Sequence, residues 1–164
     1  MAFTRTRLFL LALLLAPLAL SAQDQPQPLR VAIVGLEHGH VDGFLHALPA
    51  HHDVQLVGVA DADASLLARY QQKFSLPETI LYKSEAHMIE RAHPQAVLVY
   101  TPIGEHRHAI GIAAQYGVSS MVEKPLTISL DDALAIREIA RTHAQSPRPR
   151  ELRDHLVRKQ QGRL

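Results

Sequence analysis

Apolar and polar positions fall in short alternating blocks along the chain. "LRVAIVG" (29–35) is an apolar run ending on glycine, and "VQLVGVAD" (54–61) is one ending on an acid. "AVLVYT" (96–101) repeats the form, and shorter runs lie at 80–82 and 119–124. Between them the apolar residues recur at helical spacing. The segment 40–50 carries Phe44, Leu45 and Leu48 on one face, and 64–74 carries Leu66, Leu67, Tyr70 and Phe74. Further helices are predicted over 85–92, over 105–117, closed by Gly117, and over 130–144. Ser129 caps the last, which has Asp131 and Asp132 in its first turn and Arg141 and His143 near its end. Continuous apolar runs are strands covered on both faces. Alternation of such strands with helices builds βαβ units and a parallel sheet. The expectation is an α/β fold: a Rossmann-type doubly wound parallel sheet in three α/β/α layers, a single domain over 29–145. There is no internal repeat.

The two ends depart from this pattern. Arg5 and Arg7 precede an apolar run from Leu8 to Leu20, broken by Pro17, and small residues Ser21 and Ala22 follow. That is the layout of a secretory signal peptide over 1–22, with "QDQPQP" (23–28) as a polar linker. The chain is therefore expected in the periplasm or outside the cell, with an uncleaved N-terminal anchor as the alternative. Thr6 separates the arginines, so the twin-arginine signal is not matched. Residues 146–164 carry six Arg or Lys against two acids and little to bury. They read as a basic tail, either solvated with a short helix over 151–159, or an arm that contacts an anion or a partner.

Composition excludes some chemistry. The formal charge is +1, which gives no footprint for general nucleic-acid binding. Without cysteine there are no disulfides and no thiolate metal sites. Histidine is abundant, at eleven. His38 and His40 stand two apart, as do His106 and His108, and His51 and His52 are adjacent. None of this matches the zinc helix motif of two histidines four apart with a glutamate, so no metal ligands are assigned. A histidine-rich metal-binding exported protein stays as the least favoured class.

Candidate chemistry gathers where strands end. The turn at Gly35 lies where a dinucleotide-binding protein places its glycine-rich phosphate loop. Of the three glycine positions, two hold Glu37 and His40. A carboxylate at Glu37 repels phosphate unless it points away, while His38 and His40 offer donors in partial compensation. The loop is either a phosphate site or a tight turn that binds nothing. Asp61 ends the second long strand, 26 residues after Gly35. A carboxylate there accepts the ribose hydroxyls of NAD, and Ala62 and Asp63 bring no cation for a 2′-phosphate, which favours NAD over NADP. The competing reading of Asp61 is a helix cap. Thr101 and Pro102 follow the third long strand, with His106 at the start of the next helix. Glu123, Lys124 and Pro125 follow the last strand. A lysine at this edge orients a hydroxyl and stabilises charge as a hydride leaves, and the bland alternative for each fragment is an ordinary loop.

Together "VAIVGLEHGH", "LVGVADAD" and "AVLVYTPIGEHRHAIGIAAQYGVSSMVEKPLTIS" resemble the N-terminal domain of the Gfo/Idh/MocA oxidoreductases, across about 29–143. The resemblance implies a nicotinamide dinucleotide partner and a sugar or polyol substrate. Gly35, Glu37 and His38 then belong to the phosphate loop, and Asp61 is the ribose acid. Thr101, Pro102 and His106 line the nicotinamide side. Lys124 is the catalytic lysine, contacting substrate and nicotinamide, with Glu123 beside it and a bond to Pro125 that is often cis in the family. Two departures stand out. The glycine motif is degraded, and the resemblance stops near Ala144, where family members continue into a substrate domain. That implies an incomplete oxidoreductase, lacking the usual acid/base partner and not catalytic alone. The alternative is a non-catalytic remnant or interaction module that self-associates through an uncovered face.

Overall fold

The apolar runs form the strands of one sheet: β1 (Leu29–Val34), β2 (Val54–Ala60), β3 (Leu81–Tyr82), β4 (Ala96–Val99) and β5 (Ser119–Val122). Five helices lie between and after them: α1 (His40–Ala47), α2 (Ala64–Phe74), α3 (Glu85–Ala92), α4 (His106–Gln115) and α5 (Leu130–Ala144). The computed structural model describes residues 27–144, so the proposed signal peptide, most of the linker and the basic tail lie outside the described residues. All strand pairs are parallel, in the order β3-β2-β1-β4-β5. The chain runs outward from β1 to β3, then crosses back to β4. Beyond the carboxyl ends of β1 and β4 the connections part to opposite sides, which opens a crevice there.

Alternation along each strand builds the two cores. Ala32, Val34, Val57, Val97 and Val99 face α3 and α4, meeting Met88, Ile89, Ala92, Ala109 and Ala113. Ile33, Val59, Leu98 and Tyr100 face α1 and α2, meeting Val41, Leu45, Leu67 and Tyr70. Burial on both faces is why these strands need no polar alternation. α5 lies against α4 and buries Ile136. The doubly wound three-layer fold expected from the sequence is the fold observed.

Boundaries shift for local reasons. The expected helix 40–50 is α1 followed by a 3₁₀ turn over Leu48–Ala50, because Pro49 has no N–H to continue the α ladder. β4 and β5 stop two residues short of their apolar runs, where their chains turn into the crevice loops. α4 ends at Gln115, and Gly117 adopts a φ of +71° in the turn that follows. Ser129 does cap α5: its Oγ accepts the Asp132 amide at 3.3 Å.

Two glycines permit close approaches. At Gly58 a Cβ would lie 2.6 Å from Met88 Cγ, so the missing side chain lets α3 settle on β2. Gly35 has a φ of +84°, and a Cβ there would stand 2.6 Å from the Thr101 backbone nitrogen. Gly35→Ala therefore combines left-handed strain with a clash against backbone that cannot rotate away. The expected loss is about 2 kcal/mol or more, read as a drop in Tm of roughly 10 °C by circular dichroism. An unchanged Tm would show that the turn is free to move.

Candidate functional site

The crevice at the carboxyl edge of the sheet has two lobes. The first encloses about 380 Å³ between the Gly35 turn, Asp61 at the end of β2, the β3–α3 loop and the start of α4. The second encloses about 470 Å³ and is lined by His38, His106, Glu123, Lys124 and Pro125. Glu37, Thr101 and Pro102 border both. The fold thus brings the residues singled out in the loops after β1, β2, β4 and β5 to one edge of the sheet, while His51 and His52 precede β2 at the other end.

Asp61 is held by backbone donors. Its Oδ2 accepts the Leu36 amide at 2.8 Å and its Oδ1 the Asp63 amide at 2.8 Å. The carboxylate therefore ties the end of β2 to the turn after β1, and each oxygen keeps a lone pair for a ligand. The helix-cap alternative falls to Asp63, whose side chain accepts the Ser65 amide at 2.7 Å and caps α2. That bond holds the Asp63 carboxyl below the usual aspartate range.

The Gly35 turn is fixed at several points. Gly35 donates to Ala60 O at 2.8 Å, and His38 donates to Tyr100 O at 3.3 Å. Leu36 is fully buried among the residues under α1 and anchors the loop. Among the described residues the amides of Glu37 and Gly39 make no hydrogen bond. They lie just before α1, whose N-terminus favours anions. The Thr101 hydroxyl is also buried without a partner there. These donors fit a dinucleotide. The exposed Glu37 carboxylate opposes one, since its side chain lies on the border of both lobes rather than away from them.

In the second lobe Glu123 is the hub. His40 Nδ1 lies 2.7 Å from its Oε2, and the Lys124 amide donates to its Oε1 at 3.0 Å. The bond from His40, with that amide, keeps the Glu123 carboxyl below the ordinary glutamate range. Lys124 Nζ stands 4.0 Å from Oε1 and its side chain is 82% exposed. The Lys124–Pro125 bond is cis. His106 is only 1% exposed, with Nδ1 3.0 Å from Leu126 O and Nε2 3.2 Å from Thr101 O. Its ring is packed between the loops after β4 and β5, and because a neutral imidazole has one N–H, it donates to one of these carbonyls and lies against the other.

Several lining residues carry no signal in the sequence. Lys83, Ser84 and Glu85 enter the first lobe from the β3–α3 loop, and Glu105 and His108 from the start of α4. Lys83 puts a cation in the lobe of Asp61 that the neighbours of Asp61 lack. β3 is two residues long, too short for its periodicity to mark the loop after it as part of a site. Glu85 is half-buried at the start of α3, and its Oε1 has no partner among the described residues. Burial pushes its carboxyl up to about 8.

A parallel sheet in the order 3-2-1-4-5, with an acid at the end of β2 bonded to the turn after β1, defines a dinucleotide-type Rossmann domain. The chain belongs to the Gfo/Idh/MocA oxidoreductases: the model of that oxidoreductase family, with an NAD-binding Rossmann fold, matches residues 29–146. It is 32% identical over 92 residues to a D-apiose dehydrogenase from Paraburkholderia graminis, covering 56% of this chain and 24% of that protein. Its fold is similar to that of the WlbA dehydrogenase from Chromobacterium violaceum in complex with NADH and UDP-GlcNAcA, with a TM-score of 0.64 and 24% identity over 72% of this chain and 33% of that one. An oxidoreductase from Agrobacterium radiobacter, in complex with NAD+, L-tartaric acid and magnesium, matches with a TM-score of 0.63 and 22% identity over 71% of this chain and 33% of that one. The chain spans about a quarter to a third of the length of these proteins.

The position of Glu85 sets a pH dependence. Between its ordinary value of 4.5 and about 8 the folded protein holds a proton that the unfolded chain has lost. This group's contribution to stability is therefore full below that window and falls as pH rises through it. Thermal melts from about pH 5 to about pH 8 are expected to lose a few degrees from this group, and Glu85→Gln to flatten that slope. A variant with the same slope as the parent would assign the pH dependence to another group.

Proposed function

We propose that this chain binds NAD along the crevice and serves as the nucleotide-binding domain of an oxidoreductase acting on a CH–OH carbon of a sugar or polyol. The observation that carries the reading is the Asp61 carboxylate, oriented by the Leu36 and Asp63 amides in the wall of the first lobe. Its remaining lone pairs suit a ribose diol, and its charge disfavours a 2′-phosphate. The amides of Glu37 and Gly39, at the positive end of α1, suit the diphosphate. Bound NAD supplies the hydride acceptor. Lys124, exposed at the second lobe, is the residue placed to hold a substrate oxygen and stabilise its charge. The D-apiose dehydrogenase likeness supports a sugar-class substrate. On this reading the described residues supply the cofactor side and one lysine, and complete turnover is not expected of them alone.

A second reading, an interaction module that self-associates, draws on the β5 edge. Met121 on β5 is 59% exposed, Ile128 in the following loop 84% and Leu130 at the start of α5 75%, and the outer N–H and C=O groups of β5 have no neighbouring strand among the described residues. Sedimentation over a range of concentrations decides it: dimers lost in Met121→Lys support it, and monomers throughout dismiss it.

NADH fluorescence titration tests the main reading, with circular dichroism reporting the fold of each variant. Saturable binding is expected, weakened about tenfold or more in Asp61→Ala, since bonds to a charged group are lost. NADPH should bind more weakly than NADH. Glu37→Gln should tighten NADH about threefold to tenfold by removing a charge beside the diphosphate. A folded chain that binds no NADH, or one indifferent to Asp61→Ala, would end the assignment.

A further inference from the structure

We propose that His38, His40 and Glu123 form a binding site for a divalent transition-metal ion of the zinc class, at the mouth of the second lobe. One ligand atom from each residue lies within 4.8 Å of the other two. Two imidazoles and one carboxylate are a donor set that zinc and its neighbours favour over magnesium or calcium. The same set leaves a coordination position open, as zinc sites with chemistry do.

The geometry is close to what an ion needs. Tetrahedral zinc places its nitrogen and oxygen ligands about 3.3 Å from one another. His40 Nδ1 and Glu123 Oε2 are 2.7 Å apart, a hydrogen bond that a small rotation of either side chain opens to that separation. The rings of His38 and His40 meet edge to face with centroids 4.6 Å apart. The His40 amide reaches His38 Nδ1 at 3.3 Å, near the limit of a hydrogen bond, so the ring gives up little by turning a nitrogen to an ion.

Access and charge agree with the assignment. The His40 side chain is 57% exposed, so an ion reaches the site without opening the fold, while Glu123 is 14% exposed and held by the Lys124 amide. The positive end of α1 and the Lys124 ammonium, 4.0 Å from Glu123 Oε1, work against a cation, and the carboxylates of Glu123 and the nearby Glu37 work for it. One carboxylate and two neutral imidazoles leave a bound dication with a net charge of about +1. Its open position, beside the lobe that Lys124 lines, suits a water or a substrate hydroxyl oxygen. The residues that replace two motif glycines bring side chains to a turn where the dinucleotide motif has none, and His40 is one of the two.

The proposal does not rest on the NAD reading, and its test uses metal alone. The full-length chain, purified without a polyhistidine tag and stripped with chelator, is titrated with Co²⁺ and then displaced with Zn²⁺. One equivalent is expected, with the strengthened visible absorption of Co²⁺ in a site of low coordination number. His40→Ala and Glu123→Gln should each weaken binding at least about tenfold, while His52→Gln, at an exposed histidine on the β2 approach, should leave it unchanged. Circular dichroism confirms that each variant is folded. Loss confined to the first two variants supports the site. No binding at submillimolar metal, several weak equivalents, or affinity unmoved by either His40→Ala or Glu123→Gln would overturn it.

Discussion

The passage of the Gly35 turn over the end of β4 is the contact on which the crevice depends. There is no room for a side chain between that glycine and the Thr101 backbone. Three strands are tied at this point: Gly35 donates to Ala60 at the end of β2, Tyr100 donates to Val34 of β1, and the Asp61 carboxylate takes the Leu36 amide. The first lobe lies directly beyond this knot. Its shape follows from a missing Cβ and a half-buried acceptor rather than from any residue that touches only a ligand.

Four of the acids around the crevice share a side-chain chemistry and meet different surroundings. Asp61 is satisfied by amides, which fixes its direction. Glu123 is satisfied by a histidine and an amide, which keeps it ionised. Glu85 has been withdrawn from water with an oxygen left over, which favours its neutral form. Glu37 is exposed and bonded to nothing among the described residues. Charge counted along the sequence would treat all four alike, yet they offer an oriented acceptor, a ligand atom, a neutral hydroxyl and a repulsive charge.

The fold was legible because its strands are buried on both faces. A continuous apolar run such as 31–34 has little else to be between turn signals, and the acid at Asp61 and the loops at Thr101 and Lys124 follow from where such strands stop. The finer parts were not legible. The register between β1 and β2 slips between Val31 and Ala32, which depends on how two strands meet and not on either alone. Lys83 and Glu85 follow a strand of two residues, and the sheet brings them into the lobe from outside any motif. His38 and His40 could be read only by their spacing, which matches no zinc helix. Their third companion, Glu123, is 83 residues from His40 and meets them only because β5 lies beside β4. His106 was singled out for its position only. Its place between two carbonyls required coordinates.

That buried imidazole joins the loop after β4 to the loop after β5 through one rigid ring. The loops follow different strands, and the Leu126 carbonyl lies 20 residues beyond His106. Joined in this way they behave as one mechanical part. A change accommodated in one must be matched in the other, so variation among descendants of this chain should reach the segments around Thr101 and Leu126 in pairs. Where the histidine is exchanged, both segments become free to diverge.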